Sequence, residues 1–218
     1  TVLLSSSEHP GDEAHVLREL DHDELVDQAD PNLFFHLATD GNERKVAEVF
    51  STFTASLSDL GVTVSTGRVL DFRAMGLLHK EPGKGTVPLL YPAHMRDGGI
   101  RWPGADFKKF NAISDEDASR SLLVPSGTYV LTKRFSAKEE ARRVVAAVLN
   151  PDNCPGERIG IENHLNYFHA GGAGLENNLA KGLCIFLNST LLDRFFRQFS
   201  GHPQVNATDL RNIRYPGA

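Results

Sequence analysis

The sequence predicts an α+β fold: a mixed, largely antiparallel sheet with a few packed helices, preceded by an N-terminal hairpin and a linker helix. Two observations carry this expectation. From residue 62 onward most apolar runs are short and bounded by turn formers, as in strands that follow one another. Only a few stretches repeat apolar residues at helical spacing. No internal repeat or low-complexity tract competes with that pattern.

Taken in order, "TVLLSS" and "AHVLREL" read as strands of a hairpin, joined by the turn-rich "SEHPGDE". "DHDELVD" is a short acidic helical turn, and "NLFFHLA" a further strand or buried segment. In "NERKVAEVFSTFTASLSDLG", Val46, Val49, Phe50, Phe53 and Leu57 recur at helical spacing and Gly61 ends the helix. This helix marks the boundary between residues 1–60 and a main domain over 61–218. "VTVSTGRVLDFRA", "TVPLLYP", "TYVLTKRF", "ERIGIENHLNYFHA" and "KGLCIFLN" then read as strands. Two helices interrupt them. In "SAKEEARRVVAAVLNP", Ser136 and Glu139 have capping-box spacing, Val144, Val145, Val148 and Leu149 form the apolar stripe, and Pro151 stops it. In "STLLDRFFRQFSG", Ser189 caps a helix that buries Leu191, Leu192, Phe195, Phe196 and Phe199, with Gly201 as terminator.

A chain of 218 residues, 40% hydrophobic and 23% charged, suits one large globular domain or two small ones. No apolar run approaches the ~20 residues of a membrane span, and no signal peptide is expected. The chain opens at Thr1, as a piece of a longer protein would. Two cysteines, Cys154 and Cys184, imply a reducing compartment, hence a cytoplasmic location. Charge is unevenly spread. Residues 1–64 hold 13 acids and 3 bases, whereas residues 65–218 hold 15 acids and 20 bases. An acidic front and a basic back suggest different partners for the two segments.

Familiar catalytic signatures fail on spacing. "EPGKGT" lacks the first glycine of a phosphate loop, since that position holds Leu78, and prolines rather than a helix follow. "NPDN" resembles the Asn-Pro-Pro-aromatic motif of amino-methylating enzymes, but Asp152 and Asn153 occupy its last two positions. No glycine-rich strand-to-helix loop for S-adenosylmethionine is visible. His164, His169 and Cys154 have no metal-ligand spacing, so no metal is expected. No nucleophile elbow and no acid-x-lysine nuclease unit is present, so no catalytic residue is assigned.

What remains is a base-rich strand domain. "YPAHMRDGGIRWPG" places His94, Arg96 and Arg101 around a Gly98-Gly99 turn. Lys133 and Arg134 end a strand beside a predicted helix N-terminus, a setting that favours anions. "IENHLNYFH" alternates Glu162, His164, Asn166 and Phe168 with Asn163, Leu165, Tyr167 and His169, and such a strand can present one polar face to DNA. Arginine reads guanine in the major groove, and Asn or Gln reads adenine. For any one of these residues, an ordinary polar sheet face with satisfied histidines is the competing explanation.

Five segments in order, "VTVSTGRVLDFR", "VPLLYPAHM" with "IRWPG", "TYVLTKRFSAKEEARRVVAAV", "GIENHLNYFH" and "LCIFLNSTLLDRFFRQFSGHPQVNATDLRNIRYP", carry a resemblance. Over residues 61–216 the chain resembles the C-terminal part of N6-adenine DNA methyltransferases of bacterial type II restriction-modification systems. Some of these are fused to a nuclease, and their target recognition domain follows the catalytic domain. The resemblance implies a double-stranded DNA partner, an upstream catalytic domain of the same chain as second partner, and S-adenosylmethionine bound there rather than in this fragment. Residues 1–40 look like the last hairpin of that catalytic domain. "HPQVNATDLRNIRYP" looks like the family's closing element. In it Asn206 and Asp209 have capping spacing, and Gln204, Arg211 and Arg214 remain for DNA. The expected DNA-binding set is Arg68, Arg73, His94, Arg96, Arg101, Lys133, Arg134, Asn163, His164, Gln204 and Arg211. Arg96, Arg101, Lys133 and Arg134 are expected on one face, near Asn163 or His164. The alternative is a protein-interaction or assembly domain whose acidic N-terminal part docks on another subunit.

Overall fold

Alternation along one central strand organises the molecule. In a computed structural model the described residues are all but 8, 27–34, 36, 38–40, 106, 137–139, 200–203 and 218, with the side chains of Ser6 and Phe199 also left aside. The chain begins with β1 (Val2–Ser6) and β2 (His15–Leu20), an antiparallel ribbon that leaves Leu3, Val16 and Leu17 exposed. Helices α1 (His22–Leu25) and α2 (Gly41–Ser51) follow. Next come β3 (Thr63–Thr66), α3 (Asp71–Ala74), β4 (Leu78–His79), β5 (Thr86–Leu90), β6 (Met95–Arg96), β7 (Gly99–Ile100), β8 (Ala112–Ser114) and β9 (Leu123–Pro125). Then β10 (Tyr129–Lys133), β11 (Ala146–Leu149), β12 (Arg158–Ile161) and β13 (Leu165–His169) precede α4 (Asn177–Leu187), α5 (Thr190–Phe199) and α6 (Ala207–Asn212).

One sheet runs β3-β13-β10-β11-β7-β6 and a second runs β4-β8-β5-β12-β9. Among the described ladders only β7–β11 and β5–β12 are parallel. The fold is α+β and largely antiparallel, as the sequence predicts. On β10, Tyr129 and Leu131 face the second sheet and pack with Val124, Ile159, Ile161 and Tyr167. Val130 faces the other way, onto the helices, with Phe168, Leu183 and Phe196. The six-stranded sheet is therefore buried on both faces, between a helical layer and the smaller sheet. From α2, Phe50 enters the helical layer and stacks on Phe195 at a centroid distance of 3.7 Å.

Four sequence expectations are corrected. The stretch 144–149 is strand β11, not helix: it pairs with β10 and β7 and buries Ala146, Ala147 and Leu149. A strand covered on both faces is a continuous apolar run, which periodicity cannot separate from a buried helix. Ser136 does not cap it; its hydroxyl donates to the Arg143 carbonyl at 2.7 Å, and Glu139 lies outside the described residues. Conversely 181–187 is helical: Ala180, Leu183, Cys184 and Leu187 form the buried stripe of α4. The helix expected over 42–61 stops at Ser51, with Leu57 reaching the core from a turn. "VTVSTGRVLDFRA" holds a strand only to Thr66 before α3 begins at Asp71. The Ser189 cap does form, its Oγ accepting from Leu192 N–H at 3.1 Å, and Asn206 and Asp209 do close a capping box on α6. Gly201 and most of "NLFFHLA" fall outside the described residues, though Phe35 is exposed and bridges Val26.

Candidate nucleic-acid interface

Three chain segments meet where β10 ends. Lys133 sits opposite Leu165 in the register of β10 and β13, so the strand end lies beside the turn that joins β12 to β13. Arg134 N–H donates to the His164 carbonyl at 2.9 Å, and its guanidinium donates to the Asn163 carbonyl at 2.7 Å. The closing segment enters from the other side: Val205 N–H donates to the Arg134 carbonyl at 2.7 Å, and Gln204 bridges Phe135. Asn166, fully buried, fastens this junction. It accepts from Thr66 Oγ1 at 3.1 Å and donates to the Val205 carbonyl at 2.8 Å. Lys133, Arg134, Asn163, His164 and Gln204 are thereby gathered at one end of the six-stranded sheet. Held on strand ends and a tight turn, they form a rigid polar edge rather than a loose loop.

The turn contains a buried carboxylate. Glu162 is 1% exposed, accepts from His164 N–H at 3.0 Å, and pairs with His164 Nδ1. A buried charge without a partner is costly, so the imidazole is held in place by the carboxylate. With Nδ1 turned to Glu162, Nε2 of the half-exposed ring is the nitrogen left for an outside partner. Backbone contact with the end of β3 fixes the turn itself. Asn163 N–H donates to the Val69 carbonyl at 2.9 Å, and Val69 N–H to Ile161 at 3.0 Å. Gly67 permits this approach, because a Cβ there would fall 2.2 Å from the Glu162 carbonyl oxygen.

The remaining expected residues do not join this group. Arg96 and Arg101 lie on the β6–β7 hairpin, where Gly99 pairs with Val148 and Val148 with Val130. Lys133 is three residues further along β10 than Val130, about 10 Å, and β6 is about 14 Å across the sheet. The expected single face is therefore two separate basic places. Arg101 also pairs with Asp97 at 2.7 Å, both well exposed, while Arg96 stays exposed. His94 is corrected outright: it is 1% exposed, and its Nδ1 accepts from Tyr91 N–H while Nε2 meets Asn111 Oδ1 at 3.1 Å. Burial lowers its pKa, outweighing the Asn111 bond. It is a fastener of the 91–111 loop and cannot touch DNA. Arg68 reaches the Leu123 carbonyl at 3.3 Å, and Arg73 lies 5.4 Å from the exposed Phe72 ring. Arg211 and Arg214 are exposed and touch the carbonyls of Val64 and Thr54 at 3.4 Å, apart from the Lys133–His164 cluster.

Sequence reasoning missed Phe135; it placed Glu162 and Asn166 on a polar strand face, but both are buried. It also missed a strand–turn–helix unit, since α4 was read as a strand. After β13, Gly171 and Gly172 turn with φ of +55° and +90°, and Ala170 and Ala173 close a bridge. Gly174 then packs on Thr128, where a Cβ would sit 2.8 Å from the backbone nitrogen. Glu176 caps α4, accepting from Leu179 N–H at 2.9 Å. A carboxylate therefore already occupies the helix N-terminus that an anionic ligand would need.

Over 215 residues, 99% of its length, the chain is 47% identical to the type II methyltransferase M.PstI of Providencia stuartii. Its relatives are type II methyltransferases. A second, the type II methyltransferase M.BsuBI of Bacillus subtilis, is 43% identical over 194 residues, 89% of this chain. The chain spans 42% and 38% of these relatives, about four-tenths of their length. No family model matches.

Among the described residues no three His, Cys, Asp or Glu side chains gather as a metal site, and no helix is long and apolar enough to cross a membrane. An apolar cleft of about 410 Å³ lies between α4 and the C-terminal segment, lined by Leu60, Leu179, Leu183, Phe186 and Tyr215. It has no charged lining residue and lies away from the basic edge. Both cysteines are buried, and burial pushes the Cys154 thiol up to about 12.

Proposed function

We propose that this chain is the sequence-reading DNA module of an adenine-specific (N6) DNA methyltransferase of a restriction-modification system. In this reading the basic edge holds duplex DNA while a target adenine flips into a catalytic domain elsewhere in the protein. Residues 61–218 act as the recognition domain. Residues 1–60 link it to the catalytic body, and the exposed Leu3, Val16 and Leu17 of the β1–β2 ribbon favour contact with that body. Two unbridged cysteines fit a cytoplasmic setting.

The observation that carries the reading is the convergence of Lys133, Arg134, Asn163, His164 and Gln204 at one sheet end. It occurs in a chain whose relatives are named methyltransferases. Lys133 and Arg134 supply cations for phosphates, which position the duplex; Asn163, His164 and Gln204 supply amide and imidazole groups for base edges. Among the described residues, the glycine turn before α4 does not suit S-adenosylmethionine. The glycine turn before α4 is closed on itself and its helix N-terminus is capped by Glu176. The methyl-transfer chemistry, and the methyl donor, are assigned to the portion of the relatives that this chain does not span.

Competition binding of the full-length protein to cognate and scrambled duplexes, across a salt series, tests this. Lys133→Ala should weaken binding to all duplexes alike and lower the salt slope by about one. Asn163→Ala should relax preference at one base pair at a cost of roughly 1–3 kcal/mol. If both variants keep wild-type affinity, slope and preference, this edge is not the DNA surface and the assembly-domain reading replaces it.

A further inference from the structure

Phe135 stands out on the basic edge. Its ring is 42% exposed, whereas Phe50, Phe168 and Phe196 are buried in the core. It is not on a slack loop, because its backbone bridges Gln204 and the preceding residue is hydrogen-bonded to both His164 and Val205. Two cationic or polar planes contact it. The Arg134 guanidinium lies 5.6 Å from the ring centroid, and the His164 ring lies 5.3 Å away at 46°. His164 is in turn gripped by the buried Glu162. The ring is thus pre-positioned, in contact with two polar planes, and still 42% exposed.

An exposed, pre-positioned aromatic amid Lys133, Arg134 and His164 suits a partner that is anionic outside and flat and apolar inside. A protein partner of ordinary composition would have to bring acids to this edge as well as an apolar pocket. Duplex DNA combines phosphates with stacked bases by its nature. We propose, resting on the DNA-binding reading above, that Phe135 is a wedge. It enters a base step, replaces part of the stacking there, and lowers the cost of opening the duplex beside the reading residues. Apolar side chains act this way in other DNA-bending proteins, and stacking on an aromatic ring tolerates any base. Phe135 therefore contributes duplex opening, whereas Asn163 and His164 contribute sequence preference.

The test uses the full-length protein with Phe135→Ala and Phe135→Leu. Affinity is measured for a matched cognate duplex and for the same duplex with one mismatch at the target pair, which costs less to open. The fluorescence of 2-aminopurine next to the target reports unstacking on binding. Phe135→Ala should weaken matched-duplex binding about tenfold, the scale of one lost aromatic stack. It should weaken mismatched-duplex binding far less and suppress the fluorescence rise. Phe135→Leu should retain most of both, since Leu is itself a competent wedge. The exposed ring predicts a melting temperature near wild type for each variant, which checks that the fold is intact. Equal losses on matched and mismatched duplexes, or none, overturn the wedge. If Lys133→Ala still weakens binding while Phe135→Ala leaves the matched-to-mismatched ratio unchanged, the wedge alone fails. If neither variant alters binding, the DNA reading fails with it.

Discussion

Replacing Gly67 by alanine should damage the candidate site without touching any of its polar side chains. An added Cβ would lie 2.2 Å from the Glu162 carbonyl oxygen, 2.6 Å from that of Ile161 and 2.7 Å from the Glu162 carbonyl carbon. All three are backbone atoms, so no rotamer can relieve the contact. The end of β3 must retreat from the β12–β13 turn by about 1 Å to regain ordinary separation. That retreat stretches three backbone hydrogen bonds that now measure 2.8 to 3.0 Å: Gly67 to Leu165, Val69 to Ile161, and Asn163 to Val69. Overpacking of this kind costs ~1–3 kcal/mol, and each weakened bond up to ~1 kcal/mol more. A total of about 3 kcal/mol corresponds to a fall of roughly 6–12 °C in melting temperature for a chain of this size. Thermal denaturation followed by circular dichroism measures it, with Gly76→Ala as the companion. A Cβ at Gly76 meets nothing within 4 Å, so that variant should match wild type or gain slightly. Displacing the turn should also weaken DNA binding, because Glu162 and His164 move with it. A Gly67→Ala protein melting within about 2 °C of wild type would refute the claim that this close approach holds the turn.

Further predictions follow from buried polar groups. The folded state depresses the pKa of His94 and of His169, in each case chiefly by burial. An unfolded chain binds those protons more readily, so the stability they contribute is present above an ordinary histidine pKa of about 6.5 and is lost as pH falls through it. Melting temperature should therefore drop from pH 7 to pH 5, with a shallower drop in His94→Gln; a flat profile would contradict it. Asn166→Leu should lower stability by about 2 kcal/mol in denaturant titrations, since it orphans the Thr66 hydroxyl and the Val205 carbonyl. Burial raises the pKa of both cysteine thiols, so neither should react with a thiol reagent at pH 8 until denaturant is added, and rapid native labelling of Cys154 would count against the structure.

How much of this was legible in the sequence depends on where each signal resides. The hairpin, the strands at 86–90 and 129–133, and the caps of α5 and α6 came from local chemistry and survive, whereas "ERIGIENHLNYFHA", read as one strand, splits into β12 and β13 around the turn that carries Asn163 and His164. Two of the misreadings, those of β11 and α4, fell on short apolar runs. β11 is covered by helices on one side and the second sheet on the other, so Val144 to Leu149 lost the alternation that marks a half-buried strand. Residues 181–188 were judged as a short apolar run, although Ala180, Leu183, Cys184 and Leu187 keep the i, i+3, i+4, i+7 spacing that a longer window would have detected.

The site was half legible for a different reason. Sequence can nominate a histidine but cannot say what stands behind it. Sequence nominated His94 and His164 alike, although Arg96 lies two residues from the first and Glu162 two residues from the second. Burial turned the first inward, where its ring joins the Tyr91 backbone to Asn111. The second is turned outward, yet it is held by a carboxylate that is itself buried. The burial of Glu162 carried no signal, because it depends on Val69, a residue 93 positions away that brings the segment after β3 against the turn. The same long-range contact divides the expected basic residues. Lys133 and Arg134 reach the turn because β10 pairs with β13, whereas Arg96 and Arg101 follow β11 to the far side of the sheet. A charged residue becomes part of a surface through its strand's neighbours rather than through its own neighbours in the chain. On that ground Arg101→Ala should change DNA affinity less than Lys133→Ala when both are compared at one salt concentration, and the reverse order would move the interface to the β6–β7 hairpin.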